Sequence, residues 1–102
     1  MAVAYAIVEM HITDPERYKD YMAAAPAVVK AFGGEYVVRG GKHEALEGDW
    51  QPHRVAIVRF PSYEQAKAFY DSEAYVAVRA KRKGATEYFN MVLVEGVDAP
   101  VV

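Results

Sequence analysis

Residues 33–41 read Gly-Gly-Glu-Tyr-Val-Val-Arg-Gly-Gly, and the rest of the chain is organised around this stretch. Its first glycine pair is typical of the left-handed residues that end a helix, and Glu35 to Arg39 has the composition of a strand. Because unstructured loops of about a dozen residues are uncommon in compact domains, we expect Gly40-Gly41 to form a bulge. The strand would then resume from His43 to Glu47 and end in a tight turn at Gly48-Asp49.

The residues before this stretch predict a strand followed by a helix. Val3 to Ile12 alternates between a fully apolar face and a mixed face, which is the period of a strand. The mixed face needs a second cover, which a partner subunit would supply. Asp14 is placed to accept from the first N–H groups of a helix, and Pro15 suits its first position. Pro26 removes one helical hydrogen bond, so we expect a kink or a restart near Ala25.

The residues after the stretch predict a strand, a helix in two segments and a last strand. Arg54 to Phe60 is almost continuously hydrophobic, as expected of a central strand. Ser62 and Gln65 form a capping box, Ser72 caps a second helical segment, and Tyr88 to Glu95 is the last strand. The residues expected to face inward from the helix are Ala66, Phe69, Tyr70, Ala74, Tyr75 and Val78, and the tail from Val97 to Val102 is expected to pack on a partner.

The order β-α-β-β-α-β predicts one α+β domain of ferredoxin-like topology over residues 1–102. Right-handed crossovers place the helices on one face of a four-stranded antiparallel sheet and leave the other face bare in a monomer. Of the 102 residues, 53% are hydrophobic, which is more than one small sheet with two helices needs. We therefore predict a homodimer with a buried interface.

Composition excludes several classes of function. The net charge is −2 with interspersed signs, so nothing predicts nucleic-acid binding. The chain has no cysteine, which excludes disulfides and thiolate chemistry. The apolar N-terminus lacks a basic leader, and no apolar run approaches the roughly 18–20 residues of a membrane span. We expect a soluble cytoplasmic protein without a membrane contact or a cofactor.

Several motifs in both halves of the chain resemble one family. They are Asp14-Pro15-Glu16 with Tyr18 and Tyr21, Gly33-Gly34, Arg39-Gly40-Gly41, Leu46-Glu47-Gly48, Phe60-Pro61-Ser62, Ser72 with Tyr75, Arg82, and Val94-Glu95-Gly96. Over nearly its whole length the chain resembles the domain of unknown function 1330 family, in the dimeric α+β barrel superfamily, although Glu73 stands where that family usually has proline. The resemblance implies the fold and dimerisation. It implies no single reaction, because the superfamily includes cofactor-free monooxygenases, lactone isomerases and haem-binding or haem-degrading enzymes.

Two arginines are the candidates for ligand binding. Arg39 lies at a strand end beside glycines, and Arg82 follows Tyr75 on one helical face. Together they could clamp a carboxylate, with Tyr70, Ser72 and Tyr75 lining the pocket. The alternative is that both arginines form structural ion pairs, for instance with Glu47 or Glu35, and that the protein is a non-catalytic dimer.

Proton transfer would fall to His53, which precedes the third strand, or to a tyrosine such as Tyr75. His11 is an alternative base, and each histidine can equally be an exposed residue at a strand end. No spacing among the three histidines predicts a metal site. The functional hypotheses are therefore a cofactor-independent enzyme or binder of a small organic anion, a non-catalytic dimer, or a haem-binding protein.

Overall fold

A computed structural model describes residues 2–98 of the chain. Its elements are β1 (Ala4–Ile12), α1 (Pro15–Ala31), β2 (Glu35–Arg39), β3 (Arg54–Phe60), α2 (Tyr63–Asp71), α3 (Glu73–Arg79), a 3₁₀ turn (Ala80–Arg82) and β4 (Thr86–Glu95). The strands form one sheet in the order β2-β3-β1-β4, and each neighbouring pair is antiparallel. This is the predicted ferredoxin-like α+β arrangement, with β3 and β1 in the middle of the sheet.

Helix starts follow the predicted capping residues. The Asp14 side chain accepts from the Arg17 N–H at 3.1 Å, which begins α1. Ser62 and Ser72 accept in the same way at the starts of α2 and α3. Gly33 has a φ of +78°, the left-handed conformation that ends α1 before the chain turns into β2.

The core lies between the helices and one face of the sheet. Strand residues of alternating position point into it, together with apolar side chains of all three helices. The buried residues include Ala4, Ala6, Val8, Met10, Tyr18, Tyr21, Ala25, Val29, Ala56, Val58, Phe60, Ala66, Phe69, Tyr75, Val78 and Ala85. The opposite face of the sheet carries Ile7, which pairs with Ile57 on one side and Val92 on the other. Val92 is 54% exposed and Val94 is 44% exposed, so an apolar strip on this face has no cover within one chain.

Two predictions about the second strand and its loop are wrong. Residues 40–53 form no strand, so β2 does not resume after its glycine pair. The bulge lies inside β2 instead, where the register shifts between Tyr36 and Val38. Gly40 donates its N–H to the Val55 carbonyl at 2.9 Å, which closes the ladder. Beyond it, residues 40–51 are all exposed and bury no side chain that could hold a further strand.

The helices and the tail differ from the prediction at a few positions. α1 runs unbroken through Pro26, so the predicted restart near Ala25 does not occur. Tyr70 and Ala74 are exposed and not inward-facing. Val97 is exposed, and residues 99–102 of the predicted tail lie outside the described residues. No helix in the described range is long and apolar enough to cross a membrane.

Candidate functional site

A small cavity lies between the core face of the sheet and helices α1 and α3. Its volume is about 40 Å³. Its wall is mostly apolar, with four tyrosines and two arginines. We call it the sheet–helix cavity, and it is lined by Ala6, Val8, Met10, Tyr18, Tyr21, Met22, Val29, Tyr36, Arg39, Arg54, Ala56, Val58, Phe69, Tyr75, Phe89 and Met91.

The buried part of this cavity holds a pair of tyrosine hydroxyls. The Tyr21 and Tyr75 oxygens share a hydrogen bond of 2.6 Å, and Tyr75 is only 1% exposed. Burial, and then the neighbouring Tyr75, raise the pKa of Tyr21 far above its usual range. Burial also raises the pKa of Tyr18 to about 12. The Tyr21 and Tyr18 phenols are therefore protonated at neutral pH and can donate hydrogen bonds, but they do not act as bases.

Arg39 reaches the cavity because of the bulge in β2. Tyr36 and Arg39 are three residues apart, a spacing that puts side chains on opposite faces of a regular strand. The register shift places both on the core face, where Arg39 lies opposite Ala56. The Arg39 guanidinium stacks on the Tyr36 ring, with 4.6 Å from its central carbon to the ring centroid.

Arg39 also explains why α1 continues through Pro26. A proline has no N–H, so the carbonyl four residues earlier, that of Met22, loses its helical partner. Arg39 donates from Nη2 to this carbonyl at 3.1 Å. The sheet thus supplies the hydrogen bond that the helix lacks, and Arg39 ties β2 to α1.

Arg54 is the second guanidinium of the sheet–helix cavity. It lies two residues before Ala56, and therefore on the same face of β3. Its guanidinium packs against Gly40, so a side-chain carbon at that position would displace the guanidinium. Gly40 also has a φ of +75°, so both its backbone conformation and this close approach favour glycine.

Arg39 and Arg82 do not form the structural ion pairs with Glu47 or Glu35 that were the alternative to ligand binding. Within residues 2–98, no carboxylate lies within 4.0 Å of a side-chain nitrogen of Arg39, Arg54 or Arg82. Glu35 pairs with Arg59 on the opposite face of the sheet. The guanidinium groups at the cavity therefore carry positive charge that the described carboxylates do not neutralise.

Arg82 lies in a second, open groove and not beside Arg39. This groove, which we call the β4 groove, has a volume of about 650 Å³ and is lined by Ala6, Phe60, Tyr63, Ala66, Lys67, Phe69, Tyr70, Arg79, Arg82, Phe89, Asn90, Met91, Val92 and Leu93. Arg82 stacks on Phe89 at 3.6 Å, and Arg79 stacks on Tyr70 at 4.2 Å. The two arginines of the predicted clamp thus line different sites, which share a wall of four apolar residues.

Ser72 lines neither site. Its hydroxyl donates to the Phe69 carbonyl at 2.7 Å and accepts from the Tyr75 N–H at 3.1 Å. Both contacts join the end of α2 to the start of α3. The sequence thus marks Ser72 by its capping role, and that role occupies its hydroxyl.

His53 lies next to Arg54, at the start of β3, but outside the sheet–helix cavity. It stacks on His11 with ring centroids 3.8 Å apart, and its Nδ1 shares a hydrogen bond of 2.7 Å with the Tyr88 hydroxyl. A recess of about 320 Å³ beside it is lined by both histidines, His43 and Arg54 among others. Arg54 is therefore the link between this recess and the cavity.

Carboxylates surround the histidine pair without forming a metal site. His11 Nδ1 lies 2.9 Å from Glu87, and this hydrogen bond lowers the pKa of Glu87. A hydrogen bond with Glu9 raises the pKa of Tyr88. In the part of the chain that the structure describes, no group of three or more His, Cys, Asp or Glu side chains is arranged to hold a metal ion.

Sequence reasoning missed Arg54 and Tyr36 as cavity residues. The sequence could have indicated Arg54, because it lies two residues before the buried Ala56 in a central strand and therefore on the same face of the sheet. Tyr36 could not be placed, since its face depends on where the bulge lies. Trp50 is 61% exposed in the loop and lines none of these sites.

The fold and its cavity define an α+β protein of the ferredoxin-like class, with arginines and tyrosines between sheet and helices. The sequence matches the model of one family over residues 3–97, described as "Domain of unknown function (DUF1330)". The chain belongs to this family, as the motifs in both halves predict. A comparison with curated proteins gives no match.

Solved structures with the same fold are distant in sequence. A protein of unknown function from Rhodopseudomonas palustris, RPA0582, matches with a TM-score of 0.76 and 17% identity over 96% of this chain and 85% of that one. A dimeric ferredoxin-like protein from Jannaschia sp. CCS1 has a TM-score of 0.67 and 13% identity, with 90% and 97% covered. A Dabb family protein with a ferredoxin-like fold, from Mesorhizobium loti, has a TM-score of 0.62 and 14% identity, with both chains fully covered. At these identities the likeness shows the fold alone.

Proposed function

We propose that this protein binds a small organic anion at the sheet–helix cavity without the help of a cofactor. The carboxylate of the ligand lies at Arg39 and Arg54, and its apolar body enters the tyrosine-lined cavity. The observation that carries this proposal is a pair of guanidinium groups beside an apolar cavity, neither of which has a carboxylate partner within residues 2–98. A guanidinium presents two parallel N–H donors, which match the two oxygens of a carboxylate.

The cavity limits the size of the ligand. A water needs about 10–15 Å³ of such space, so the cavity of about 40 Å³ accepts a body of only a few heavy atoms. The buried end offers one hydrogen bond from the Tyr21–Tyr75 hydroxyl pair to a polar atom on that body, because the other hydroxyl proton is used within the pair. A short aliphatic carboxylate therefore fits this chemistry better than a long-chain one.

A panel of small carboxylates, each compared with its uncharged amide, tests the binding proposal by thermal unfolding at a fixed protein concentration. A ligand at a hundred times its Kd adds about 2.7 kcal/mol of stability, a rise of roughly 10–20 °C for a domain of this size. Arg54→Gln and Arg39→Gln should abolish the rise. Lys42→Gln, which removes the same charge from an exposed position outside the cavity, should keep it.

Two results would contradict binding at this cavity. One is a panel in which no carboxylate stabilises the protein. The other is a rise that persists in both arginine variants. Arg54→Gln is the primary variant, because Arg39 also holds the Met22 carbonyl and its loss changes the stability of the free protein.

A catalytic role is a second candidate, supported by the hydroxyl pair at the buried end of the cavity. In this role Tyr75 would act as an acid toward a bound ligand, with the Tyr21 hydroxyl hydrogen-bonded to its oxygen. His53, the other predicted proton carrier, would act from the recess beyond Arg54.

Mass spectrometry of the identified ligand after incubation tests this role. Conversion by the native protein, lost in Tyr75→Phe while the thermal stabilisation remains, would support it. Loss of conversion in His53→Gln but not in Tyr75→Phe would transfer the role to the histidine. An unchanged ligand in the native protein would make the protein a binder.

We also propose that the protein is a homodimer whose two sheets pack face to face. The uncovered strip with Ile7, Ile57 and Val92 supports this, and a solved relative from Jannaschia is described as dimeric. Val92→Asp should dissociate the dimer in sedimentation velocity. Val76→Asp, at a valine 45% exposed on α3, should not. A native chain that sediments as a monomer would contradict the proposal. The cytoplasmic location stays a prediction from composition.

A further inference from the structure

The β4 groove contains a second set of guanidinium groups, separate from Arg39 and Arg54. Arg79 and Arg82 line it from the helical side, and Phe89 and Leu93 of β4 form its apolar wall. At about 650 Å³ it is far larger than the sheet–helix cavity, and in a single chain it is open along the edge strand β4.

Both guanidinium groups are held in place by aromatic rings. Arg82 lies 3.6 Å from the centroid of Phe89 and 5.2 Å from that of Tyr21. Arg79 lies 4.2 Å from the centroid of Tyr70. Stacking of this kind restricts the rotation of a long side chain, so less entropy is lost when it binds a ligand.

Donors on both arginines are left for a ligand. Arg79 Nη1 and Arg82 Nε are buried without a partner. Neither guanidinium makes a hydrogen bond to another described residue, and both side chains line the groove and are only partly buried. Each arginine therefore presents a fixed, partly exposed edge of N–H groups.

The charge of the groove is one-sided. Its wall holds Lys67, Arg79 and Arg82, and no carboxylate is among the described residues that line it. Lys67 pairs with Asp71 at 3.2 Å on the surface of α2. Two positive charges remain without a partner among the described residues, beside a wall that suits an apolar group.

We propose that the β4 groove binds a small organic phosphate. A phosphate monoester carries about two negative charges at neutral pH and accepts paired hydrogen bonds from guanidinium groups. Its two charges match Arg79 and Arg82, and its organic part lies against Phe89. The groove is a site distinct from the carboxylate site at Arg39, and the proposal does not depend on that site.

Isothermal titration of the native protein with phenyl phosphate and with inorganic phosphate, in a buffer free of other oxyanions, tests this site. Arg82→Gln and Arg79→Gln should each raise the Kd about tenfold or more, the change expected for one charged hydrogen bond. Lys81→Gln, the same loss of charge on the exposed surface next to Arg82, should leave the Kd within about twofold. Phenyl phosphate should bind more tightly than inorganic phosphate, because its ring contacts the apolar wall.

Arg39→Gln separates this site from the carboxylate site. It should leave phosphate binding unchanged, and a loss of phosphate binding in this variant would overturn the proposal of two sites. Equal losses in Arg82→Gln and Lys81→Gln would overturn it too, since they would indicate diffuse attraction. The proposal would also be overturned if neither phosphate binds and Arg82→Gln weakens the dimer. The arginines of the groove would then pair with a carboxylate of a second copy of the chain. Retained binding in both arginine variants would likewise overturn the proposal.

Discussion

The hydrogen bond from Arg39 to the Met22 carbonyl should matter only because Pro26 has no N–H to donate to that carbonyl, and substitution of both residues tests this. In Pro26→Ala the new N–H regains the helical bond to that carbonyl, which then no longer needs the arginine. We therefore expect Arg39→Gln to cost less stability in the Pro26→Ala background than in the native protein.

The size of the effect follows from the two contacts of Arg39. Its bond to the carbonyl is 3.1 Å long and exposed, so we expect about 1 kcal/mol from it, below the usual range for charged donors. Its stacking on Tyr36 at 4.6 Å adds about 0.5–1 kcal/mol at an exposed site. Arg39→Gln should then cost about 1.5–2 kcal/mol in the native background and about 0.5–1 kcal/mol beside Pro26→Ala. The coupling between the two positions is the difference, about 1 kcal/mol.

Urea unfolding followed by circular dichroism gives the four free energies of this cycle. All four proteins are measured at one concentration, because the stability of a dimer depends on concentration. Lys42→Gln serves as the control for the loss of positive charge and should change little in either background. Equal losses from Arg39→Gln with and without Pro26 would refute the reasoning, since the arginine would then not be replacing the missing helical bond.

Three further predictions concern the core. Tyr21→Phe and Tyr75→Phe should each lower the free energy of unfolding by about 1–2 kcal/mol, because each leaves the other buried hydroxyl without its partner. The double variant should cost less than their sum in urea unfolding, and simple additivity would contradict the shared bond. Stability should fall as pH rises from about 10 to about 12, because the Tyr18 phenol ionises near 10.0 when unfolded but only near 12 when folded. Tyr18→Phe should make this fall less steep, since burial also raises the pKa of Tyr21 and Tyr36, and an unchanged profile would contradict the assignment. Gly34→Ala should cost about 1–3 kcal/mol, since its Cβ would lie 2.7 Å from a ring carbon of the core. Gly41→Ala, with no atom within 4 Å of the added carbon, is the matched control, and equal midpoints for the two in thermal unfolding would contradict the packing argument.

Much of the fold followed from local signals in the sequence. β3 has the predicted bounds Arg54–Phe60, because continuous hydrophobicity marks a strand buried in the middle of a sheet. Helix starts at Asp14, Ser62 and Ser72 were also predictable, since a cap depends on a side chain and a backbone N–H three residues away. The uncovered apolar face followed from the alternation in β1.

The candidate site was only partly predictable. Arg39 was selected for its position beside glycines, and Tyr75 for its place in the helical stripe, and both line the sheet–helix cavity. Arg82 was expected in the same site but lies in the β4 groove. Helical spacing gives the face of the helix on which a side chain lies. It does not say whether Arg82 lies in the sheet–helix cavity or in the β4 groove, the two sites that Phe89 separates.

The sequence by itself determined the order of the elements, their capping and the buried faces of β1 and β3. These depend on residues within one or two turns of each other. The tertiary structure decided where β2 bulges, and with it that Tyr36 and Arg39 share a face. It also decided that Arg39 donates to the Met22 carbonyl, which Pro26 leaves without its helical hydrogen bond. Both outcomes depend on contacts between distant segments, whose register is set by packing across the whole sheet and not by local composition.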